Sequence, residues 1–222
     1  MSIQDKEFSL EAVPQSSRKG FWNILAVMLS LSFFSASMWS GGTLGQGLSF
    51  TQFMLIVLSG NLILGLYTGA LAYIAAKTGL STHLLARYAF GKKGSYITSF
   101  LLASTQVCWF GVGLAMFAVP VSIATGVNVF VLIGVFGVLM TISSIFGLKA
   151  LAILGFISVP TIAIFGTYSM TDAVNSMGGL ESLFLYEPAQ SMSIALALTI
   201  CVGSFIRAGT LTPDFTRFAK SA

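Results

Sequence analysis

The sequence predicts an all-α integral membrane protein with about six transmembrane helices. Three observations carry that class. Of 222 residues, 55% are hydrophobic and only 8% charged, with a mean hydropathy of +0.90. A soluble domain carries about 25% charged residues, so this chain could not cover its own surface in water. Apolar stretches of about twenty residues, enough to cross roughly 30 Å of hydrocarbon, recur along the chain between short polar joints. Lysine and arginine are concentrated in alternate joints, as membrane topology requires. The formal net charge of +4 is scattered over those joints and forms no basic patch, so no nucleic-acid partner is expected.

Residues 1–20 are polar and mixed in charge and read as an N-terminal tail. The apolar segment after them is too long for a signal-peptide core and lacks a small-x-small cleavage site, so it stays. The predicted spans are 22–47, 53–76, 96–123, 129–146, 151–170 and 192–218. Lys6, Arg18 and Lys19 precede the first. Lys77, Arg87, Lys92 and Lys93 separate the second from the third, Lys149 the fourth from the fifth, and Arg217 and Lys220 close the chain. The opposite joints hold no basic residue, and the loop 171–190 carries Asp172, Glu181 and Glu187. By the positive-inside rule both termini are cytoplasmic and 171–190 is an extracytoplasmic loop. Arg207 alone breaks the pattern.

Between the second and third spans, residues 81–90 (STHLLARYAF) read as a short amphipathic helix on the cytoplasmic surface. Ser81 or Thr82 caps it, Leu84, Leu85 and Tyr88 face the bilayer, and Gly91 stops it. Its His83, the chain's single histidine, reads as solvated. Cys108 and Cys201 fall inside apolar segments and read as small buried hydrophobes rather than a disulfide.

The first span contains an anomaly. Residues 33–45, FFSASMWSGGTLG, put serines, a threonine and glycines where leucines belong. The motif echoes in the sixth span: Ser32-Phe33-Phe34-Ser35-Ala36-Ser37 against Ser204-Phe205-Ile206-Arg207-Ala208-Gly209, each followed by Gly-Thr-Leu. Breaks at membrane depth survive only inside protein or beside a wet cavity, because each unmet backbone group in hydrocarbon costs several kcal/mol. Paired interrupted helices, one per half of an inverted repeat, are a device of secondary transporters. Interrupted helices 1 and 6 are therefore expected, their freed N–H and C=O groups holding an ion and a polar substrate. The competing reading is close helix packing through small residues, which is the one adopted for Gly65-Leu-Tyr-Thr-Gly69 in the second span. In the third span Gln106 and Trp109 share a helix face. Their amide and flat ring suit a planar heterocycle, but an interhelical Gln bond with Trp as packing fits the spacing equally well.

The runs SFFSASMWSGGTLG, STHLLARYAFGKKGS, TQVCWFGVG and VGSFIRAGTLTPDF resemble, in the same order, the bacterial cytosine permeases of the nucleobase:cation symporter-1 family. The resemblance covers essentially the whole chain. It implies the LeuT-type five-helix inverted-repeat fold, with 21–170 as the first repeat and 191–222 as the opening helix of the second. It implies a multi-pass protein of the bacterial inner membrane that imports cytosine or a related nucleobase by symport, with sodium as the coupling ion and no other cofactor. Carboxylates are scarce in the spans, which favours sodium over protons. Matched position by position, Trp109 and Phe205 resemble the residues stacking on the two faces of the base, and Gln106 the amide reading its polar edge. Ser204, Arg207 and Phe34 complete the substrate side. Phe34 and Ser37 resemble the positions whose backbone carbonyls hold the cation.

Two departures bear on function. The chain has the length of roughly half a family member, so a complementing C-terminal half is an expected partner, and a non-transporting fragment or helical scaffold is the alternative. Arg207 stands where the echo places a small residue, Ser35. It either selects an anionic or carbonyl-rich planar ligand (hydantoin, allantoin, uracil-like) or snorkels away through a broken helix. The absence of HExxH, of a Gly-x-Ser-x-Gly elbow and of an acidic pair within the spans excludes the familiar hydrolytic enzymes.

Overall fold

The computed structural model describes residue 8 and residues 10–33, 35–145 and 147–221, with 35, 36 and 147–152 described by their backbone alone. Among them every regular element is helical. The helices are α1 (Phe21–Ser32), α2 (Ser35–Gly47), α3 (Phe50–Thr78), α4 (Thr82–Thr125), α5 (Val129–Ser144), α6 (Gly147–Ser176), α7 (Leu180–Phe184), α8 (Ile194–Thr210) and α9 (Thr212–Thr216). Four are long and apolar enough to cross a membrane, and five spans result if the bent pair Phe21–Ser32 and Ser37–Gly47 counts as one. The expected fourth span is α5, whose 16 residues reach about 24 Å, short of a full hydrocarbon layer.

Local chemistry sets the boundaries. α1 ends at Phe33, where ψ turns to 74°. Just before it, the hydroxyls of Ser30 and Ser32 donate to the carbonyls of Ala26 (2.6 Å) and Met28 (2.9 Å), a back-bonding that bends helices. The axis turns by 49° across this point. α3 opens on a capping box of Ser49 and Gln52 and closes on Gly79 at φ 74°. α4 starts as expected: Ser81 accepts from the Leu84 amide (3.3 Å). At Gly91 (φ 69°, ψ 177°) the helix breaks, separating the short amphipathic segment from the long span.

The sixth span departs from expectation. α8 runs unbroken through residues 204–209 to Thr210, and Ser204 Oγ donates within its own helix to the Cys201 carbonyl (2.8 Å). The interruption comes at Leu211 instead. Pro213 cannot continue a helix across residue 209's carbonyl, so α8 stops and α9 restarts with the proline in its first turn. The echo of the first span thus matches residue types without matching where the chain bends.

Packing runs through small residues. α3 lies against α8 and α9, α1 against α6, and α2 against α8; Leu44, Leu48, Ile56, Ala197 and Cys201 form a buried cluster where α2, α3 and α8 meet. A Cβ on Gly60 would sit 2.5 Å from Cys201 Sγ, and one on Gly209 would sit 2.7 Å from Thr68 Cγ2. Gly65 and Gly69, read from sequence as the packing motif, have no heavy atom within 4 Å of such a Cβ. The contact residue on that helix is Gly60, five residues earlier. Cys108, expected to be buried, is exposed, while Cys201 is buried. Most of each span is likewise uncovered, with 6–17% of the most apolar windows buried, as suits helices whose other faces meet lipid.

Residues 13–19 of the N-terminal segment are tied to the bundle. Arg18 is buried and donates to the carbonyls of Val13 (3.3 Å), Ala76 and Ala219 (3.4 Å). Val13 N–H bonds to Gly79 O (3.0 Å), and Lys19 pairs with the strand-like end of the chain through Phe218 O (2.6 Å) and the Lys220 amide (3.0 Å). Asp214, the carboxylate inside the predicted sixth span, accepts the Thr82 amide at the start of α4 (2.9 Å), where the helix leaves N–H groups free and the dipole favours an anion.

Candidate functional site

Two features lie where the sequence pointed. The first is a cavity of about 400 Å³ between α2, α3 and α8. Ser32, Ser37 and Ser40 line it from the first span, and Ser204 and Phe205 from α8. α3 contributes Asn61, Gly65 and Thr68, spaced four and three residues apart on one helix face. Several of these polar groups are partly committed to their own helices: Asn61 Nδ2 donates to Val57 O (2.8 Å) and Thr68 Oγ1 to Leu64 O (2.8 Å). That leaves oxygen lone pairs and the second Asn61 amide N–H as the uncommitted hydrogen-bonding capacity of these two residues. Sequence reading missed Asn61 and Thr68. Their signal was available, since two polar side chains at helical spacing in an apolar span are costly unless they face protein or a cavity.

The second feature joins α4 to α8. The Arg207 guanidinium stacks over the Trp109 ring, with Cζ 4.5 Å from the ring centroid, a cation–π contact worth about 0.5–2 kcal/mol. Arg207 Nε is enclosed and has no hydrogen-bond partner. Gln106 is half-buried one turn before Trp109 on the same helix. None of these three lines the 400 Å³ cavity.

The residues singled out from sequence therefore fall into two groups. Ser37, Ser204 and Phe205 are on the cavity; Trp109 and Arg207 are on each other, with Gln106 beside them. Phe34 lies outside the described residues. His83, read as solvated, is half-buried and hydrogen-bonds through Nδ1 to Ser99 Oγ across the Gly91 bend, with its ring 5.9 Å from that of Tyr96. It is a brace for the amphipathic segment. Leu84, expected to face the bilayer, is buried in the protein, while Tyr88 is 83% exposed. Among the described residues no group of three His, Cys, Asp or Glu side chains could hold a metal ion.

Comparison with known proteins joins these features to a family. The family model described as a permease for cytosine/purines, uracil, thiamine and allantoin matches residues 12–222. Proteins named cytosine permease from Escherichia coli O157:H7 and from Escherichia coli strain K12 are each 58% identical over 219 residues, covering 99% of this chain and 52% of theirs. The chain thus spans about half the length of the curated relatives it matches. Among solved structures, that of Mhp1, a nucleobase-cation-symport-1 family transporter in a closed conformation with bromovinylhydantoin bound, aligns with a TM-score of 0.85. Its sequence identity is 19%, over 96% of this chain and 49% of that one, a likeness of fold. These relatives are transporters, not enzymes. With a family match over nearly its full length, helices fit to cross a bilayer several times and a polar cavity among them, the chain belongs to the cytosine/purine, uracil, thiamine and allantoin permease family.

Proposed function

We propose that this chain supplies the N-terminal part of a sodium-coupled importer of a flat nucleobase-like compound in a bacterial inner membrane, both termini cytoplasmic. The observation that carries the reading is the Trp109–Arg207 platform, with Gln106 one turn away. It joins the third and sixth spans through a planar, cationic surface facing a chain that otherwise has few charges. A guanidinium only donates hydrogen bonds. It therefore suits a ring edge with two acceptors, such as the carbonyl oxygen and ring nitrogen of cytosine or the carbonyls of a dioxo heterocycle. Gln106 brings both a donor and an acceptor to the same edge.

Sodium enters at the first-span bend. The end of α1 leaves carbonyls without helical partners, and Ser37 lines the cavity beside it. If sodium orders this bend, it favours the base-binding state, and the base favours sodium binding by the same factor. The inverted-repeat reading makes 21–170 one repeat and 191–222 the first helix of another, as the family likeness supports. In that scheme the second repeat needs a complementing half before the two can rock against each other.

A second reading is favoured by Arg207 itself. Its fixed positive charge suits an anionic or dioxo ring (hydantoin, allantoin or uracil-like) better than neutral cytosine. The test is uptake of radiolabelled cytosine and uracil into proteoliposomes by a form carrying the C-terminal half that the E. coli relatives possess. The expectation is accumulation that collapses when choline replaces sodium. Undiminished uptake in choline would remove sodium from the mechanism. Calorimetry with the 222-residue chain alone separates a binding-competent half from a mere scaffold: heat on addition of base supports the former, and heat only after the missing half is added supports the latter.

A further inference from the structure

A second hollow, of about 280 Å³, opens away from the 400 Å³ cavity, where the N-terminal segment crosses the amphipathic part of α4. Leu10, Leu80, Leu84 and Tyr88 form its apolar wall, Arg87 is its basic group and Glu11 its acidic one. Arg87 Nε is enclosed yet has no hydrogen-bond partner, an unfavourable state for a buried cationic donor unless an acceptor from outside the protein completes it. The surroundings indicate what that is. Tyr88 and Phe90 are 83% and 62% exposed on the same short segment, as is Leu10 on the strap beside it at 73%. Exposed aromatics on a short amphipathic segment set off from its span by the Gly91 break mark the membrane interface. Lys92 and Lys93 follow immediately after the bend, and α4 contains no carboxylate anywhere along its 44 residues.

We infer that this hollow is a binding site for an anionic phospholipid, the phosphate held by Arg87 and the first part of an acyl chain lying along Leu10, Leu80, Leu84 and Tyr88. Charge complementarity favours a lipid with a net negative headgroup, since each basic residue at an interface draws such lipids by about 1 kcal/mol. The apolar wall distinguishes a lipid from a free anion, which would find no use for four hydrophobic side chains. Because Lys19 and Arg18 tie the same N-terminal segment to the end of α9, a lipid bound here braces the basic face of the bundle. The assignment stands independently of the substrate.

The experiment is native mass spectrometry of the purified 222-residue chain in detergent, titrated with dioleoylphosphatidylglycerol or dioleoylphosphatidylcholine. The wild type is expected to retain phosphatidylglycerol about fivefold better at equal concentration. Arg87→Gln removes that preference, and Arg87→Lys, which keeps the charge and most of the packing stem, keeps part of it. Glu11→Gln, at an exposed residue that cannot unfold the bundle, raises it by removing repulsion from the phosphate. Equal retention of the two lipids by the wild type overturns the assignment. So does loss of retention in Glu11→Gln, which would show Arg87 and Glu11 to be structural partners. If millimolar inorganic phosphate displaces phosphatidylglycerol, the hollow takes a free anion and the lipid assignment fails.

Discussion

Replacing Arg18 by glutamine should unlatch the N-terminal segment without unfolding the helices. Arg18 is 9% exposed and donates to three carbonyls. Ala76 lies in the last turn of α3, so the guanidinium also meets the negative end of that helix's dipole. A hydrogen bond from a charged donor contributes about 1.5–3 kcal/mol. The bonds to Val13 and Ala219, at 3.3 and 3.4 Å, are longer than ordinary N–H···O contacts and count for little. Glutamine can restore part of one neutral bond. A net loss of about 2 kcal/mol in the latch remains, which is about thirtyfold in the open population. Hydrogen exchange reads that number directly. Amides Val13, Lys19 and Lys220, all bonded across the latch, should exchange about thirtyfold faster, while the α3–α8 core around Ile56 and Cys201 is unchanged. Arg18→Lys, a compact charge serving one carbonyl, should fall between. An acceleration under threefold at all three amides would refute the latch. Acceleration spread equally into the core would mean that Arg18 supports the whole fold instead.

The other predictions concern packing and the candidate site. Gly60→Ala places a Cβ 2.5 Å from Cys201 Sγ and should destabilise the chain by about 1–3 kcal/mol in thermal unfolding in detergent; adding Cys201→Ala, which deletes the offending sulfur, should recover most of that loss, and strict additivity would show that the two helices do not meet there. Gly79→Ala forces a β-carbon onto φ 74° and within 3.0 Å of the Val13 backbone, so it should cost more than 1 kcal/mol and release the same latch amides as Arg18→Gln. Trp109→Ala should weaken base binding, measured by calorimetry on the form carrying both halves, more than Trp39→Ala, whose ring is 75% exposed; equal losses would leave Trp109 as packing. Arg207→Ser should shift preference toward cytosine over dioxo rings, and an unchanged ratio would take Arg207 out of the pocket.

Most of the spans were legible because membrane insertion is a one-dimensional problem of length and hydropathy; of the six expected, four or five have spanning length among the described residues, and the 16-residue α5 falls short. Caps were legible for a related reason. Ser81 and Gly91 act through chemistry confined to four residues, so their roles could be assigned without knowing what the helix packs against. Faces were not legible where two partners competed for them. Leu84 has the same apolarity whether it meets lipid or the N-terminal segment, and nothing local distinguishes Gly65 from Gly60 as the contact glycine. That choice is made by Cys201 and Leu198, some 140 residues away.

The sixth span shows why a repeated motif is a weaker guide to backbone shape than a single proline. Ser204-Phe205-Ile206-Arg207 copies the residue types of the first-span break, but serine and glycine only permit unwinding. In α8 the permission is not used: Ser204 satisfies its hydroxyl within the helix and Cys201 seats against Gly60, so the unbroken helix keeps its backbone paired through residues 204–209. Pro213 is different in kind, since it has no N–H to carry the α8 ladder past the carbonyl of residue 209 and fits the first turn of a new helix, and the break falls two residues before it. Moving the break is therefore the informative perturbation. Pro213→Ala should let α8 run into α9 and, with Asp214 carried out of register, free the Thr82 amide it caps. Faster hydrogen exchange at residues 82–84, with residues 204–209 still protected, is the expected signature. Unchanged protection at 82–84 would mean that Asp214, not the proline, fixes the turn at Leu211.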